Sequence, residues 1–280
     1  MSRIVYVNGI YLPEEKGQIS IFDRGFLFAD GIYEVTAVVN SRLVDYPAHM
    51  ERLERSLHEI RMDWPCSKEE LKSMHLDMVN RNKLGEGWIY MQITRGAADR
   101  DFKFPKGVKP TLIAFTQAKK LVDNPDAVKG VSVITIPDIR WARRDIKTVN
   151  LLAPVLGKQA AYEAGAFEAW MIEDGMVTEG TSSNAYIVKD GKVVTRGLSN
   201  NILAGCTRRA LFRLAKEHNV EIEERSFSAD EAYDADEAFL TSASNFVMPI
   251  TEIDGKRVGG GQPGPLTRKL REIFLEEIKN

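Results

Sequence analysis

Apolar and polar residues alternate at the start of the chain, around a short polar turn. Ile4 and Tyr6 precede the pair Asn8-Gly9, and Ile10 follows it. An apolar residue at every second position is typical of a half-exposed β-strand, and Asn-Gly favours a type I′ turn. The pattern therefore predicts a β-hairpin at the N-terminus.

Farther along, the apolar residues recur at every third or fourth position instead. Met50, Leu53 and Leu57 follow this spacing with charged residues between them, which predicts an amphipathic helix. A second helix is predicted to begin near Ser67, because Ser67 and Glu70 form the pattern of a capping box. Two segments rich in β-branched and aromatic residues then predict strands, WIYMQITR and TLIAFTQ.

A polar stretch, residues 119–130, separates two parts of the chain. It contains Asn124-Pro125, a pair that is typical of a turn. We interpret this stretch as the linker between a small α/β N-terminal lobe, residues 1–118, and a larger C-terminal lobe, residues 131–280. Predicted strands and helices occur in both lobes, so the expected fold class is α/β, or α+β.

The C-terminal lobe is predicted to begin with the strand GVSVITIP, followed by a helix over residues 151–165. A meander of short strands is expected over residues 167–195, with a turn at Asp174-Gly175. A helix over residues 207–218, further strands and a charged helix at the end complete the lobe. The closing helix has the sequence LTRKLREIFLEEIKN.

Composition and charge narrow the classes of function. The chain has 280 residues, of which 44% are apolar and 28% charged, so it can bury a sizeable core. Lys and Arg number 38 against 40 Asp and Glu. This balance argues against nucleic acid or a membrane surface as a partner, because both attract a basic excess. No apolar run approaches the roughly 18 residues of a transmembrane helix.

The N-terminus and the cysteines indicate a reducing, cytoplasmic compartment. The start, MSRIVYVNG, has no basic segment followed by an apolar run, so we expect no signal peptide. Cys66 and Cys206 lie far apart, with no disulfide framework around them. None of the four histidines stands at metal-ligand spacing with a second ligand, so we expect no metal site.

One lysine follows a cluster of arginines in the segment DIRWARRDIKTVNLL. Lys147 comes after Arg140, Arg143 and Arg144, at the edge of an apolar stretch. A lysine amine is a nucleophile only in its neutral form, which neighbouring cations and partial burial favour. Taken alone, the pattern is more typical of a surface lysine in a basic cluster.

Two further segments combine small polar residues with the end of a strand or the start of a helix. In TEGTSSN, the carboxylate of Glu179 could keep a pyridine nitrogen protonated, and Ser182 and Ser183 could bind an anion. In GCTRR, Thr207 stands at a helix start, where free backbone amides form an anion site. Taken alone, TEGTSSN is also compatible with an ordinary turn, and GCTRR is more typical of a plain Thr N-cap.

Taken together and in this order, these segments resemble the fold-type IV pyridoxal-phosphate enzymes, also called the class IV aminotransferases. The resemblance extends over nearly the whole chain and is closest to the D-amino-acid aminotransferase branch. It implies a two-lobed fold with the cofactor at the lobe interface and the cofactor lysine in the C-terminal lobe. The segments that carry it are VNGIYLP, GIYEV, HMERL, YMQITRG, DIKTVNLL, TEGTSSN, GCTRR and the closing TRKL.

The resemblance implies a role for each matching residue in holding pyridoxal 5′-phosphate. Lys147 matches the catalytic lysine that binds the cofactor as a Schiff base, and Glu179 matches the carboxylate that pairs with the ring nitrogen. Leu203 matches the residue packed against the ring. Ser182 and Ser183 are expected among the cofactor ligands. The residues expected on the phosphate side are Arg52, Cys206 through its backbone amide, Thr207, Ser242, and Ala243 in place of a hydroxyl residue.

The substrate side departs from this branch at one position. Tyr33 and Arg100 match two members of the carboxylate trap of D-amino-acid aminotransferases. The third member is a histidine two residues after the arginine, and Phe102 stands there in this chain. An aromatic side chain packs against hydrophobic substituents. We therefore expect D-amino acids to remain substrates and (R)-primary amines to be accepted as well.

The resemblance implies ping-pong transamination from a D-amino acid to 2-oxoglutarate or pyruvate, carried out by a homodimer. Two alternatives use the same cofactor, a branched-chain L-amino-acid aminotransferase and an aminodeoxychorismate lyase. The lyase would release pyruvate without any keto-acid acceptor. A third alternative is a non-catalytic binding protein that keeps the fold, and it would lack a visible chromophore that borohydride reduces.

Overall fold

The computed structural model of the chain describes residues 2–279 and divides the chain into two compact units. The first unit comprises the residues up to Leu121 together with Ile146–Asn150, and the second comprises Val122–Asp145 and the residues from Leu151 onward. The segment that contains Lys147, predicted above in the C-terminal lobe, therefore groups with the first unit by its contacts. Both units combine strands and helices, so the predicted fold class is confirmed.

The first unit is built on a six-stranded sheet in which every neighbouring pair is antiparallel, in the order β2-β1-β6-β5-β3-β4. Its elements are β1 (Ile4–Val7), β2 (Ile10–Pro13), α1 (Arg24–Phe28), β3 (Gly31–Val39), β4 (Arg42–Leu43), α2 (Tyr46–Glu59), α3 (Lys68–Arg81), β5 (Gly87–Thr94) and β6 (Thr111–Ala118). A single 3₁₀ turn, Glu14–Lys16, follows β2.

The local predictions for the first unit are confirmed. Asn8 and Gly9 have φ angles of 47° and 94°, the left-handed conformation that both central residues of a type I′ turn require. The Ser67 side chain accepts a hydrogen bond from the Glu70 amide at 3.2 Å, and the Glu70 carboxylate accepts one from the Ser67 amide at 2.8 Å. This capping box begins α3.

Helices α2 and α3 pack their apolar faces against the sheet and form the core of the first unit. Leu53 and Leu57 on α2, and Leu71 and Met78 on α3, lie in one buried apolar cluster with Ile89 of β5. The spacing of three and four residues places the buried side chains on one face of each helix. This core fixes α2, which carries Arg52, relative to β3, which carries Tyr33.

His75 of α3 lies wholly within this core and gives a test of its stability. Its Nδ1 is 2.8 Å from the Leu71 carbonyl oxygen, its Nε2 has no hydrogen-bond partner, and its ring meets the Tyr46 ring edge-on at 5.1 Å. Burial lowers the pKa of His75 to about 4. Between that value and the ordinary pKa near 6.5, the unfolded chain binds a proton that the folded chain does not.

The free energy of unfolding should therefore fall as the pH falls from about 6.5 towards 4. We expect this imidazole to contribute about 2–3 kcal/mol of that loss by pH 4.5. The measurement is denaturant unfolding at pH 7 and pH 4.5 for the wild type and His75→Gln, whose amide does not titrate. Parallel losses in the two proteins would show that His75 is not the titrating group.

The second unit is built on a nine-stranded mixed sheet, in the order β12-β11-β10-β13-β14-β7-β8-β9, with β15 paired to β14. Its elements are α4 (Pro125–Lys129), β7 (Val131–Pro137), α5 (Leu152–Glu163), β8 (Glu168–Glu173), β9 (Met176–Gly180), β10 (Asn184–Lys189), β11 (Lys192–Thr195), α6 (Cys206–Glu217), β12 (Ile222–Glu224), α7 (Ala229–Tyr233), β13 (Glu237–Ser242), β14 (Phe246–Ile253), β15 (Lys256–Arg257) and α8 (Pro265–Lys279).

The meander predicted over residues 167–195 is wrong in one respect. The hairpins β8–β9 and β10–β11 form as predicted, but β9 and β10 are not paired in the described sheet. Strand β10 pairs instead with β13, which comes some fifty residues later in the chain. Alternation along a strand records which face is buried but not which neighbour it pairs with, so this long-range pairing left no local pattern.

The chain from β9 to β10 makes a tight turn that places the segment TEGTSSN at the end of two strands. Gly180 donates its amide hydrogen bond to the Ser183 carbonyl oxygen at 2.7 Å. The fold thus presents a polar turn beside buried strands, and this turn carries several of the predicted site residues.

No helix within residues 2–279 is long and apolar enough to cross a membrane.

Candidate functional site

Lys147 is held by the backbone of the first unit. The Tyr33 amide donates to the Lys147 carbonyl oxygen at 3.0 Å, and the Val149 amide donates to the Gly31 carbonyl oxygen at 3.0 Å. The Lys147 amide in turn donates to the Ser56 hydroxyl of α2 at 3.4 Å. The segment therefore lies beside the start of β3, with the lysine at a defined position.

The amine of Lys147 lies over an aromatic ring. Its Nζ is 4.2 Å from the centroid of the Tyr33 ring, and no described carboxylate or carbonyl group contacts it. Tyr33 stacks on Tyr90 at 5.5 Å, and Tyr90 stacks on Phe115 at 4.9 Å. This row of rings across β3, β5 and β6 supports the face that Lys147 covers. Lys147, the predicted catalytic lysine, and Tyr33, a predicted substrate-binding residue, are thus adjacent.

Arg52 projects from α2 towards β3 and is fixed by a buried carboxylate. Glu34, next to Tyr33, accepts hydrogen bonds from Arg52 Nε at 2.8 Å and from Arg52 Nη2 at 2.7 Å. The Nδ1 of His49 is 2.7 Å from the same carboxylate. Burial opposes ionisation of Glu34, but Arg52 and His49 outweigh it and hold its pKa well below the ordinary range. The guanidinium is therefore held in one orientation.

Arg100 and Phe102 lie on the exposed loop between β5 and β6. The guanidinium carbon of Arg100 is 5.3 Å from the centre of the Phe28 ring and 5.4 Å from that of Phe102. The Phe102 side chain is 76% exposed. Among the described residues, no hydrogen bond, ion pair or ring contact joins Arg100 or Phe102 to Tyr33 or Lys147. The predicted substrate residues thus form two separate groups.

In the second unit, Glu179 is a buried carboxylate surrounded by donors. It accepts hydrogen bonds from Arg140 Nη1 at 2.5 Å, Asn184 Nδ2 at 3.0 Å and the Leu203 amide at 3.1 Å. Burial raises the pKa of Glu179, and the charge of Arg140 opposes that rise. Arg140 is itself paired with Asp138 at 2.7 Å. Three donors therefore fix the orientation of the Glu179 carboxylate.

The three arginines that precede Lys147 are all paired with carboxylates. Arg140 contacts Glu179, as described above, while Arg143 pairs with Asp145 at 2.9 Å. Arg144 pairs with Glu173 at 2.5 Å. The basic cluster expected from the sequence is therefore a set of ion pairs, and its main effect on the site is to position Glu179.

Helix α6 begins beside Glu179. Gly205 is its N-cap residue and supplies no capping side chain, and Cys206 and Thr207 are its first residues, both buried. A Cβ atom at Gly205 would lie 2.2 Å from Asn184 Oδ1. Asn184 also donates to the Leu203 carbonyl oxygen at 2.9 Å. Because position 205 has no side chain, no N-cap group bonds to the first amides of α6, and such amides are the kind of group that binds an anion.

Asn184 is a residue that the sequence argument missed. It joins Glu179 to the chain that leads into α6, because one side-chain amide donates to both. It is the last residue of TEGTSSN, the segment whose sequence singles out Glu179 and the serines. A polar residue at the start of a buried strand was the available signal, since such groups need buried partners.

The hydroxyl residues of TEGTSSN bond to a second buried carboxylate. Thr181 donates to Glu168 through a short hydrogen bond, Ser182 donates to Glu168 at 3.1 Å and Ser183 donates to it at 3.2 Å. Glu168 is wholly buried. These contacts hold the turn, and the assignment of Ser182 and Ser183 to the cofactor stays a prediction.

The turn between β13 and β14 carries Ser242 and Ala243. The Ser242 hydroxyl accepts a hydrogen bond from Asn245 Nδ2 at 3.2 Å and lies 3.4 Å from the Ser244 hydroxyl. Ala243 supplies only its backbone.

No group of three metal-ligating side chains occurs within residues 2–279. The polar groups described above are thus carboxylate, amide, hydroxyl, guanidinium and amine groups.

Comparison with known sequences identifies similar proteins along almost the entire chain. A sequence profile described as "Amino-transferase class IV" matches residues 31–253. The chain is 41% identical over 276 residues to the D-alanine aminotransferase of Bacillus licheniformis, covering 98% of this chain and 96% of that protein. It is 40% identical over 279 residues to the D-alanine aminotransferase of Staphylococcus aureus strain COL, covering 99% and 98%.

Comparison with solved structures finds the same fold. The T.th. branched-chain amino acid aminotransferase with pyridoxamine 5′-phosphate has a TM-score of 0.91 and 25% identity, covering 99% of this chain and 94% of that one. The branched-chain amino acid aminotransferase of Escherichia coli has a TM-score of 0.90 with 24% identity, covering 99% and 94%. The second of these shows similarity of fold alone.

Proposed function

The chain belongs to the class IV aminotransferases, and on this premise we propose that it moves the amino group of a D-amino acid to 2-oxoglutarate or pyruvate. The observation that carries the proposal is 41% identity, over 98% of the chain, to a protein named D-alanine aminotransferase. The branched-chain enzyme with the same fold is only 25% identical, so it supports the alternative L-donor less.

The polar groups of the site fit pyridoxal 5′-phosphate, the cofactor of this family. When bound, this cofactor supplies an electron sink for bonds broken at the substrate α-carbon. The buried Glu179 carboxylate fits a protonated ring nitrogen. The Leu203 amide donates to that carboxylate, which places Leu203 beside Glu179. The helix-start amides of Cys206 and Thr207 fit the charge of a phosphate. Arg52, Ser182, Ser183, Ser242 and Ala243 complete the proposed cofactor contacts.

Lys147 is the proposed anchor and proton carrier. Its amine would hold the cofactor, and as a free, neutral base the same amine would take the proton from the substrate α-carbon. The hydrogen bonds between the Lys147 backbone and Tyr33 and Ser56 fix the position of the main chain from which the lysine side chain extends. The Tyr33 ring, 4.2 Å from Nζ, restricts where the amine can move.

Glu179 is the proposed group that keeps the ring nitrogen protonated. To do so it must stay ionised although it is buried, and Arg140 at 2.5 Å supplies the opposing charge. The Asn184 amide and the Leu203 amide orient the carboxylate. Because all three partners are donors, a remaining lone pair of Glu179 is the natural acceptor for a ring N–H.

Arg100 is the proposed ligand for the substrate carboxylate. Within residues 2–279 it makes no ion pair, so its guanidinium keeps its full capacity to bind an anion. Two aromatic rings, those of Phe28 and Phe102, support it. A guanidinium can hold a carboxylate through two parallel hydrogen bonds, which accounts for binding of D-amino acids without the family's histidine.

Turnover of the purified holoprotein tests the proposal against its alternatives. D-alanine with 2-oxoglutarate should give pyruvate, and omitting 2-oxoglutarate should stop the reaction after one equivalent. Continued pyruvate release from aminodeoxychorismate without an acceptor would identify the lyase. A protein without a visible chromophore that borohydride reduces would be the non-catalytic alternative.

Replacing Phe102 with histidine should narrow the substrate range. A hydrogen bond from histidine to the substrate carboxylate adds roughly 1.5–3 kcal/mol, so the apparent dissociation constant for D-alanine should fall about 10-fold or more. Turnover of (R)-1-phenylethylamine should fall, because the apolar surface of Phe102 is lost. The measurement is steady-state kinetics with both donors for the wild type and Phe102→His.

Phe102→Leu is the matched control for that change, because it also removes the ring from Phe28 and Arg100 but adds no donor. It should not improve the affinity for D-alanine. Equal improvement in the leucine and histidine variants would show that the ring at 102 merely obstructs the site. No change in either would remove position 102 from substrate binding.

We also propose that the protein is a cytoplasmic homodimer. Exposed apolar side chains in the first unit, including Ile21 and Phe26, and on α5, including Leu152 and Tyr162, support association with a second copy. Cys66 and Cys206 are both free thiols, in keeping with a reducing compartment. Light scattering of the purified holoprotein tests the oligomeric state.

A further inference from the structure

A buried arginine, Arg24, binds the loop that carries Arg100 and Phe102. We call residues 100–104 the recognition loop. Arg24 Nη1 donates a hydrogen bond to the Asp101 carbonyl oxygen at 2.6 Å, and the Arg24 side chain is only 4% exposed. Its guanidinium carbon also lies 4.7 Å from the centre of the Phe28 ring. One guanidinium thus contacts both the loop backbone and the ring that supports Arg100.

A second arginine holds the far end of the recognition loop. The guanidinium carbon of Arg95 is 3.6 Å from the centre of the Phe104 ring, within the range of a cation–π contact. Arg95 also donates to the carbonyl oxygens of Ile60 at 2.7 Å and Arg61 at 2.9 Å. These bonds tie Arg95 to the chain that follows α2, so the Phe104 ring rests on a fixed support.

A single carboxylate oxygen joins the two arginines. Asp30 Oδ2 accepts hydrogen bonds from Arg24 Nε at 2.7 Å and from Arg95 Nε at 2.8 Å. The Asp30 backbone repeats the link, because its amide donates to the Arg24 carbonyl oxygen at 3.2 Å and its carbonyl oxygen accepts from the Arg95 amide at 3.1 Å. Both arginines are buried, so Asp30 also neutralises two charges that would otherwise repel each other.

From these contacts we propose that Asp30 is a positioning residue for the recognition loop and, through it, for the substrate carboxylate. The inference rests on the proposed role of Arg100. The Asp30 carboxylate fixes Arg24 and Arg95, which fix Asp101 and Phe104 on either side of Phe102. Because the loop is already ordered before the amino-acid substrate binds, less conformational entropy is lost on binding, and the affinity is higher. Asp30 itself touches no substrate.

Asp30→Asn is the primary test, since it keeps the shape of the side chain and removes its charge. We expect KM for D-alanine to rise about 5- to 20-fold with kcat changed less than about twofold, the pattern of lost substrate binding. Hydrogen exchange of the amides of residues 99–104 should become faster, which reports loop order without any turnover. Arg24→Lys should give the same two changes, because a lysine cannot reach Asp30 and Asp101 through separate nitrogens.

Asp77→Asn is the matched control. Asp77 accepts a hydrogen bond from Tyr11 at 2.9 Å in the same unit and makes no contact with the loop, so neither KM nor loop exchange should change. Unchanged exchange at residues 99–104 in both Asp30→Asn and Arg24→Lys would overturn the positioning role. Faster exchange with an unchanged KM would overturn the link to the substrate.

Different outcomes contradict the proposed function and the positioning role of Asp30. A wild-type holoprotein that does not turn over D-alanine contradicts the proposed function, whatever the exchange data show. A wild type that does turn over D-alanine, with Asp30→Asn matching it in KM, contradicts only the role of Asp30. If Asp30→Asn does not fold, Arg24→Lys provides both readouts and decides the inference alone.

Discussion

Replacing Lys147 with alanine should abolish multiple-turnover transamination while the protein still folds. The amine is both the proposed anchor for the cofactor and the base at the α-carbon, so we expect a loss of at least about 10³-fold in kcat. The fold should persist because the two backbone hydrogen bonds of residue 147, to Tyr33 and Ser56, do not need the lysine side chain. The measurements are steady-state kcat and thermal unfolding.

Lys192→Ala is a suitable control for Lys147→Ala, because Lys192 is an exposed lysine paired with Glu221 at 2.7 Å. Its activity should equal that of the wild type. Added small primary amines should restore part of the activity of Lys147→Ala, since they supply the missing base. More than a trace of turnover without added amine would remove Lys147 from the mechanism.

Replacing Glu179 with glutamine should slow the chemical step by about 10²-fold or more, a few kcal/mol of transition-state stabilisation. A neutral amide cannot hold a proton on the ring nitrogen by charge. The amide also brings an N–H group towards Arg140, Asn184 or the Leu203 amide, all of which are donors. The measurement is the single-turnover rate of the half-reaction at saturating D-alanine, with cofactor binding measured separately.

Glu173→Gln separates the role of Glu179 from the general effect of breaking an ion pair. Glu173 pairs with Arg144 at 2.5 Å in the same unit, but it does not contact Arg140 or Leu203. Its half-reaction rate should stay close to that of the wild type. If Glu179→Gln lost only cofactor affinity and kept the wild-type rate, the assignment to the ring nitrogen would be wrong.

Local structure was predictable where a short segment decides it alone. The Asn8-Gly9 turn and the Ser67–Glu70 capping box depend on neighbouring residues, and both form as expected. Lys147 and Glu179 were identified because they stand in segments that resemble a known family. The contacts around these two residues could not be predicted from the sequence, because the Arg140–Glu179 pair joins residues 39 positions apart.

Contacts between distant segments account for what the sequence did not reveal. Strand β10 pairs with β13 across the sheet, and no periodicity within either strand specifies that partner. Asp30, Arg24 and Arg95 appear in the sequence as ordinary charged residues near glycines. Only the fold shows that one carboxylate oxygen binds both guanidinium groups beneath the recognition loop.

The most direct test of the central claim is the half-reaction of the purified holoprotein with single donors and no acceptor. D-alanine, L-alanine and L-leucine are each mixed with the protein, and the loss of the visible absorption of the lysine-bound cofactor is followed over time. We expect D-alanine to bleach this absorption with one equivalent of pyruvate formed, and the two L-amino acids to react at least about 10²-fold more slowly. A faster reaction with L-leucine than with D-alanine would contradict the claim and identify a branched-chain aminotransferase.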